Sequence, residues 1–159
     1  MKKLSLLLFA FILNIQMLVS QSGTHDLPSS SVQRPKVNLR IEASAKEIES
    51  FGMKLQSLQV DITNRLNQSN ILVEEGADNP MLVIRLKALE CGTQLASYVQ
   101  LALFEQAELV RNKTIVSAMT FSQASLITIT KEDFSHEVTK TVNAMLSAFI
   151  IDYNKAFAQ

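Results

Sequence analysis

The chain predicts an α+β fold: a two-layer sandwich with an antiparallel sheet and two helices on one face. Three patterns lead there. Val37, Leu39 and Ile41 alternate with polar neighbours, the period of a half-buried strand. Phe51, Leu55, Leu58, Ile62 and Leu66 recur at helical spacing, and Phe134 to Tyr153 repeat that spacing near the C-terminus. Between the two stripes lie long apolar runs with few helix signals.

In order, "KVNLRIEASA" opens the folded part as a strand. A helix over about residues 53–68 follows, with Lys54, Asp61, Asn64 and Arg65 off its apolar stripe, and "NQSN" ends it. "ILVEEGADNP" enters a second strand region and turns through Gly, Asp, Asn and Pro. "MLVIRLKALE" and "LASYVQLALFEQAELV" read as long strands. "TIVSAMTFSQASLITIT" reads as another, interrupted near Ser122 to Ser125. Thr130-Lys131-Glu132-Asp133 resembles a capping box with Asp in place of Glu. The helix behind it buries Phe134, Val138, Val142, Met145, Phe149 and Tyr153. The order is β-α-β-β-β-α, and its short connections predict an antiparallel meander.

The first twenty residues, "MKKLSLLLFAFILNIQMLVS", have the layout of a secretory signal peptide: Lys2 and Lys3, an apolar core, then small Ser20 before Gln21. The apolar core is too short for a membrane span, so cleavage after Ser20, or after Gly23, leaves no stable membrane anchor. Residues 21–35, rich in Ser and Pro, read as a flexible linker, and 36–159 as a single domain. The expected location is periplasmic or secreted. Of 15 basic residues, removal of Lys2 and Lys3 leaves 13 against 15 acids, a net charge of −2. With no basic block, the chain offers no footprint for nucleic acid.

Gly92-Thr93 reads as a two-residue hairpin loop, which sets Cys91 opposite Gln94, Leu86 opposite Val99, Ile84 opposite Leu101 and Leu82 opposite Leu103. Even positions 82–88 and odd positions 95–103 then share an apolar face, assigned to the helices. The other face is mixed. Met81, Val83, Tyr98 and Phe104 on it form the candidate partner surface.

Catalytic and metal constellations are not found, and no cofactor is implied. His25 and His136 lie far apart with no ligand spacing, no serine sits in an elbow motif, and the four glycines are scattered. "EEGADN" lacks the alternating spacing of a calcium loop and reads as a solvated turn. Asn67 and Asn112, each in an Asn-x-Ser/Thr frame, read as turn residues in a chain whose leader looks bacterial. Cys91, the lone thiol, has no internal disulfide partner. Only Lys87 and Arg85, further down the same face, could activate it, so it reads as an incidental pre-turn residue.

The run "VDITNRLNQSNILVEEGADNPMLVIRLKAL" and the ending "NAMLSAFIIDYNKAF" resemble a group of small bacterial envelope proteins of uncharacterised function. The shared habit is Arg65-Leu66 at a helix end, a short strand from Ile71 to Val73, Pro80 before a strand, and Phe149-Ile150 with Tyr153 closing the last helix. Where that group often has a glycine after the first helix, this chain has Asn70. The layout is also similar to auxiliary domains of periplasmic machines, such as the N-terminal domain of the Tol–Pal propeller protein and transport-auxiliary lipoproteins. The resemblance carries no catalytic residues. The mixed, aromatic-bearing open face, with no catalytic constellation beside it, points to a non-enzymatic exported module with an envelope protein as partner, or a homo-oligomer. The alternative reading is a carrier of an apolar ligand or lipid.

Overall fold

The computed structural model describes residues 35–157. The signal peptide, its cleavage between Ser20 and Gln21, and the linker (apart from Pro35) lie outside the described residues. So does His25. Among the described residues no helix is long and apolar enough to cross a membrane.

Two layers form as the alternating and helical periods require. Strand β1 (Lys36–Glu42) leads into a short helix α1 (Ala45–Ser50) and then α2 (Leu55–Gln68). After these come β2 (Leu72–Val73), β3 (Met81–Cys91), β4 (Gln94–Glu108), β5 (Ile115–Thr130) and α3 (Phe134–Phe157), one strand and one helix more than the expected β-α-β-β-β-α order. The sheet order is β2-β1-β3-β4-β5. Leu58, Ile62 and Leu66 of α2 and the whole predicted stripe of α3 are buried with Leu82, Ile84, Leu86, Leu95, Val99 and Leu101 in one core. Each such fully buried aliphatic side chain contributes about 1.5–3 kcal/mol. Phe149 stacks on Tyr153 with ring centroids 5.0 Å apart and meets Phe121 edge-on at 5.5 Å. Arg65 Nη2 donates to Ser147 Oγ at 2.9 Å, tying α2 to α3.

The expectation of an all-antiparallel sheet is corrected. Only β3, β4 and β5 form the meander; β1 pairs in parallel with both β2 and β3. The helices between β1 and β2 make a crossover, and a crossover returns the chain in the same direction. After β2 the chain crosses the open face of β1 and enters β3 on its other flank without reversing. Asn38 holds this crossing: its Nδ2 donates to Gly76 O at 2.7 Å and Asn79 O at 3.1 Å, and Gly76 N–H donates to its Oδ1 at 2.9 Å.

Three further departures have local causes. Helix α2 begins at Leu55, because Phe51 caps the preceding helix α1, whose single buried residue, Ile48, gives it no periodic signal. Both helices end in the same way. Gly52 (φ 80°) and Asn70 (φ 63°) follow the last turns in left-handed conformation. Met53 N–H reaches Ile48 O at 3.4 Å, and Ile71 N–H reaches Leu66 O at 3.0 Å. This is the Schellman ending, with its buried apolar pair Ile48/Met53 or Leu66/Ile71. Asn70 therefore takes the left-handed position that a helix ending of this kind most often gives to glycine. Strand β5 is not interrupted at Ser122 to Ser125; it runs unbroken, with a bulge where Leu103 pairs Phe121 and Phe104 pairs Met119, leaving Thr120 over. At the start of α3, Thr130 Oγ1 accepts from Asp133 N–H at 3.3 Å and donates to the Asp133 carboxylate at 2.9 Å. The helix itself starts at Phe134, after Asp133 O accepts from Glu137 N–H.

Candidate functional site

The β3–β4 hairpin pairs in the register that Gly92-Thr93 requires, from Cys91 with Gln94 to Met81 with Phe104. Gly92 takes φ 65°, which a side chain at the first loop position would resist. The register puts the helices on one face and leaves the other open. Residues of β1, β3, β4 and β5 on that open face divide into three bands.

The middle band is polar. Arg85 Nε donates to Glu42 Oε2 at 2.7 Å, its Nη1 donates to Gln100 Oε1 at 3.2 Å, and Gln100 Nε2 donates to Ser122 Oγ at 3.0 Å. One row of hydrogen bonds thus crosses four strands. The Arg85 guanidinium also lies 5.7 Å from the Phe104 ring centroid, over its face.

Two apolar bands flank the row. On one side Met81 pairs with Phe104, and Phe104 with Met119. Met81 and Phe104 are half-buried and Met119 is exposed. Val83 belongs to this band by position, but at 3% exposure it offers no contact area. On the other side, toward the hairpin, Leu89 pairs with Ala96 and Tyr98 with Leu126. Leu89 is 68% exposed and Leu126 74%. These two large apolar side chains, standing in water beside a tyrosine, form the most prominent feature of the face.

A groove of about 690 Å³ runs into this second band. It exists because β1 stops at Glu42 while β3 continues to Cys91, leaving the flank of β3 beyond Arg85 without a strand neighbour among the described residues. Leu86 and Ala88 from the core side and Leu89, Ala96, Tyr98 and Leu126 from the open side therefore line one space, with Glu42, Glu47 and Lys87 at its rim. Such a lining suits an apolar group carried on a chain that also presents hydrogen-bonding backbone.

Of the sequence-predicted surface residues, Met81 and Phe104 share one band, Tyr98 lies in the other, and Val83 is buried between neighbours. Leu126 was hidden in the sequence by the expected break in β5; Leu89 falls on the open face by parity, but its exposure follows from β1 stopping at Glu42. Cys91 is exposed at the hairpin end on the open side. His136 is exposed on α3, 3.8 Å from the Glu137 carboxylate. In the acidic loop, Glu74 pairs with Lys36 at 2.9 Å. Asn67 and Asn112 serve as local turn acceptors, for Val73 N–H and Thr114 N–H, both at 3.3 Å. Among the described residues no three His, Cys, Asp or Glu side chains gather in a metal-ligating group.

No protein-family model matches the chain, and no curated protein does. A solved structure, a minor lipoprotein from Acinetobacter baumannii, is similar over 79% of this chain and 90% of its own, with 12% identity and a TM-score of 0.28. A likeness at that score passes nothing about function to this chain.

Proposed function

We propose that this protein is a non-catalytic interaction module of the bacterial envelope, exported by its N-terminal segment, that docks a protein partner on the open face of its sheet. The observation that carries the reading is the apolar band of Leu89, Ala96, Tyr98 and Leu126 beside the unpaired flank of β3. Exposed leucines scattered singly need no explanation, whereas two that flank a tyrosine over a groove form a contiguous patch. The polar row from Glu42 to Ser122 supports the same reading, because it supplies oriented hydrogen-bonding groups next to that patch. Localisation rests on the signal-like segment, Lys2 and Lys3 before an apolar run.

The test is a pull-down from envelope extract with the unaltered chain, with Leu89→Ser/Leu126→Ser, and with Val60→Ser as control. Val60 is an exposed apolar residue on α2, in the other layer. The double variant loses the partner bands that the unaltered chain and the Val60 variant retain. A double variant with an unchanged profile and an intact fold contradicts the proposal.

A further inference from the structure

Strand β5 forms one edge of the sheet over its full length, Ile115–Thr130. Its sequence, "IVSAMTFSQASLITIT", contains no charged residue, no proline and no glycine. Edge strands are normally protected by charge, proline, short length or a bulge, since unpaired backbone groups template further pairing. The only such device here is the bulge at Thr120. It leaves Phe121 to Thr130 regular, uncharged on both sides and, among the described residues, unpaired along its outer flank.

The outward groups can be assigned. A two-residue hairpin loop is closed by a hydrogen-bonded pair, here Cys91 and Gln94. Even residues of β4 therefore aim at β3 and odd ones at β5. Leu95 to Leu103 meet Ile129 to Phe121 at odd positions, so Ser122, Ala124, Leu126 and Thr128 point their N–H and C=O groups outward.

We propose that the occupant of this edge is a second copy of the chain, paired β5 to β5 antiparallel about a two-fold axis at Ser125, so that two five-stranded sheets become one of ten strands. Paired residues must share a face, which restricts the axis to a residue position, and Ser125 is central to the regular stretch. With the axis there, Ala124 faces Leu126 and Ser122 faces Thr128 through outward backbone groups. On the helix side Phe121 faces Ile129, twice. Aromatic–β-branched pairs of this kind stabilise sheets. Phe121, Ile127 and Ile129 are only partly buried in one copy, and pairing would complete their cover. The absence of charge on β5 means that self-pairing sets no like charges opposite each other. A two-fold contact also closes both open edges at once, where a head-to-tail contact would propagate. Moving the axis to Leu126 would set Lys131 against Phe121, a poorer match.

This inference uses the edge and not the open face, so it stands or falls apart from the docking reading. The test is oxidative cross-linking of the full chain in a Cys91→Ser background. Ser125→Cys, facing itself in a non-hydrogen-bonded pair with Cα atoms about 4.5 Å apart, gives a covalent dimer. Thr128→Cys alone gives none, because its symmetry mate lies six residues along the strand, on the order of 20 Å away. Ser122→Cys combined with Thr128→Cys restores the dimer. Light scattering on the unaltered chain reads twice the mass of one copy. A single-copy mass, a Ser125→Cys chain that stays monomeric, or equal cross-linking at all three positions overturns the proposal.

Discussion

Asn38 grips Gly76 through both ends of its side-chain amide, accepting from its N–H at 2.9 Å and donating to its carbonyl at 2.7 Å. The chain can move from one flank of β1 to the other at this point without reversing because a side chain on the open face takes over the backbone bonds that the strands cannot make. Asn38→Ala removes three hydrogen bonds and should lower stability by about 2 kcal/mol, at roughly 0.5–1.5 kcal/mol each with some replaced by water. Gly76→Ala should cost less, about 1 kcal/mol for one displaced hydrogen bond. Its new Cβ would stand 2.7 Å from Asn79 Nδ2, pushing that amide off Glu74 O. Urea unfolding monitored by circular dichroism ranks the two; a Gly76 variant less stable than the Asn38 variant would place the strain elsewhere.

Asn70 adopts φ 63° at the end of α2. A left-handed residue with a Cβ costs about 1–2 kcal/mol, partly relieved for asparagine. Asn70→Gly is therefore expected to raise the midpoint of thermal unfolding, and Asn70→Ala to lower it, with stability changes below about 1 kcal/mol in the first case and near 1 in the second. A destabilised glycine variant would show that the asparagine side chain itself matters there.

Burial, with the charge of Glu105 second, pushes the Tyr153 phenol from 10.0 up to about 12. The folded state then keeps a proton that the unfolded state gives up first. This contribution to stability is complete below pH 10 and disappears as pH rises from 10 toward 12. Thermal melts between pH 9 and 12 should show a steeper decline for the unaltered chain than for Tyr153→Phe. Parallel curves would mean that the phenol titrates alike in both states.

Cys91 stands exposed at the hairpin end, with β4 and β5 between it and the β5 edge. Non-reducing gels should accordingly show at most a minor Cys91-linked dimer. A stoichiometric disulfide would give the thiol a role that its position before the turn does not suggest.

How much of this was legible in the sequence follows from the range of each interaction. The hairpin register was, because Gly92 and two apolar rows specify it within a single hairpin; so was the α3 stripe from Phe134 to Tyr153, which repeats a single period. The parallel partners of β1 were not, since that pairing depends on Asn38 reaching a loop 38 residues away. The row from Glu42 through Arg85 and Gln100 to Ser122 joins four separate strands and leaves no local trace. Met81, Tyr98 and Phe104 were visible as open-face residues by parity. The burial of Val83 and the prominence of Leu126 depend instead on neighbours that only the folded sheet brings together.

Docking on the open face is tested most directly by photo-cross-linking in the native host. A photoreactive residue replaces Tyr98 in one chain and Val60, on α2, in another. The account predicts a discrete adduct from position 98 that disappears when Leu89→Ser and Leu126→Ser are added, and none from position 60. No adduct at position 98, or the same adducts from both positions, would contradict it.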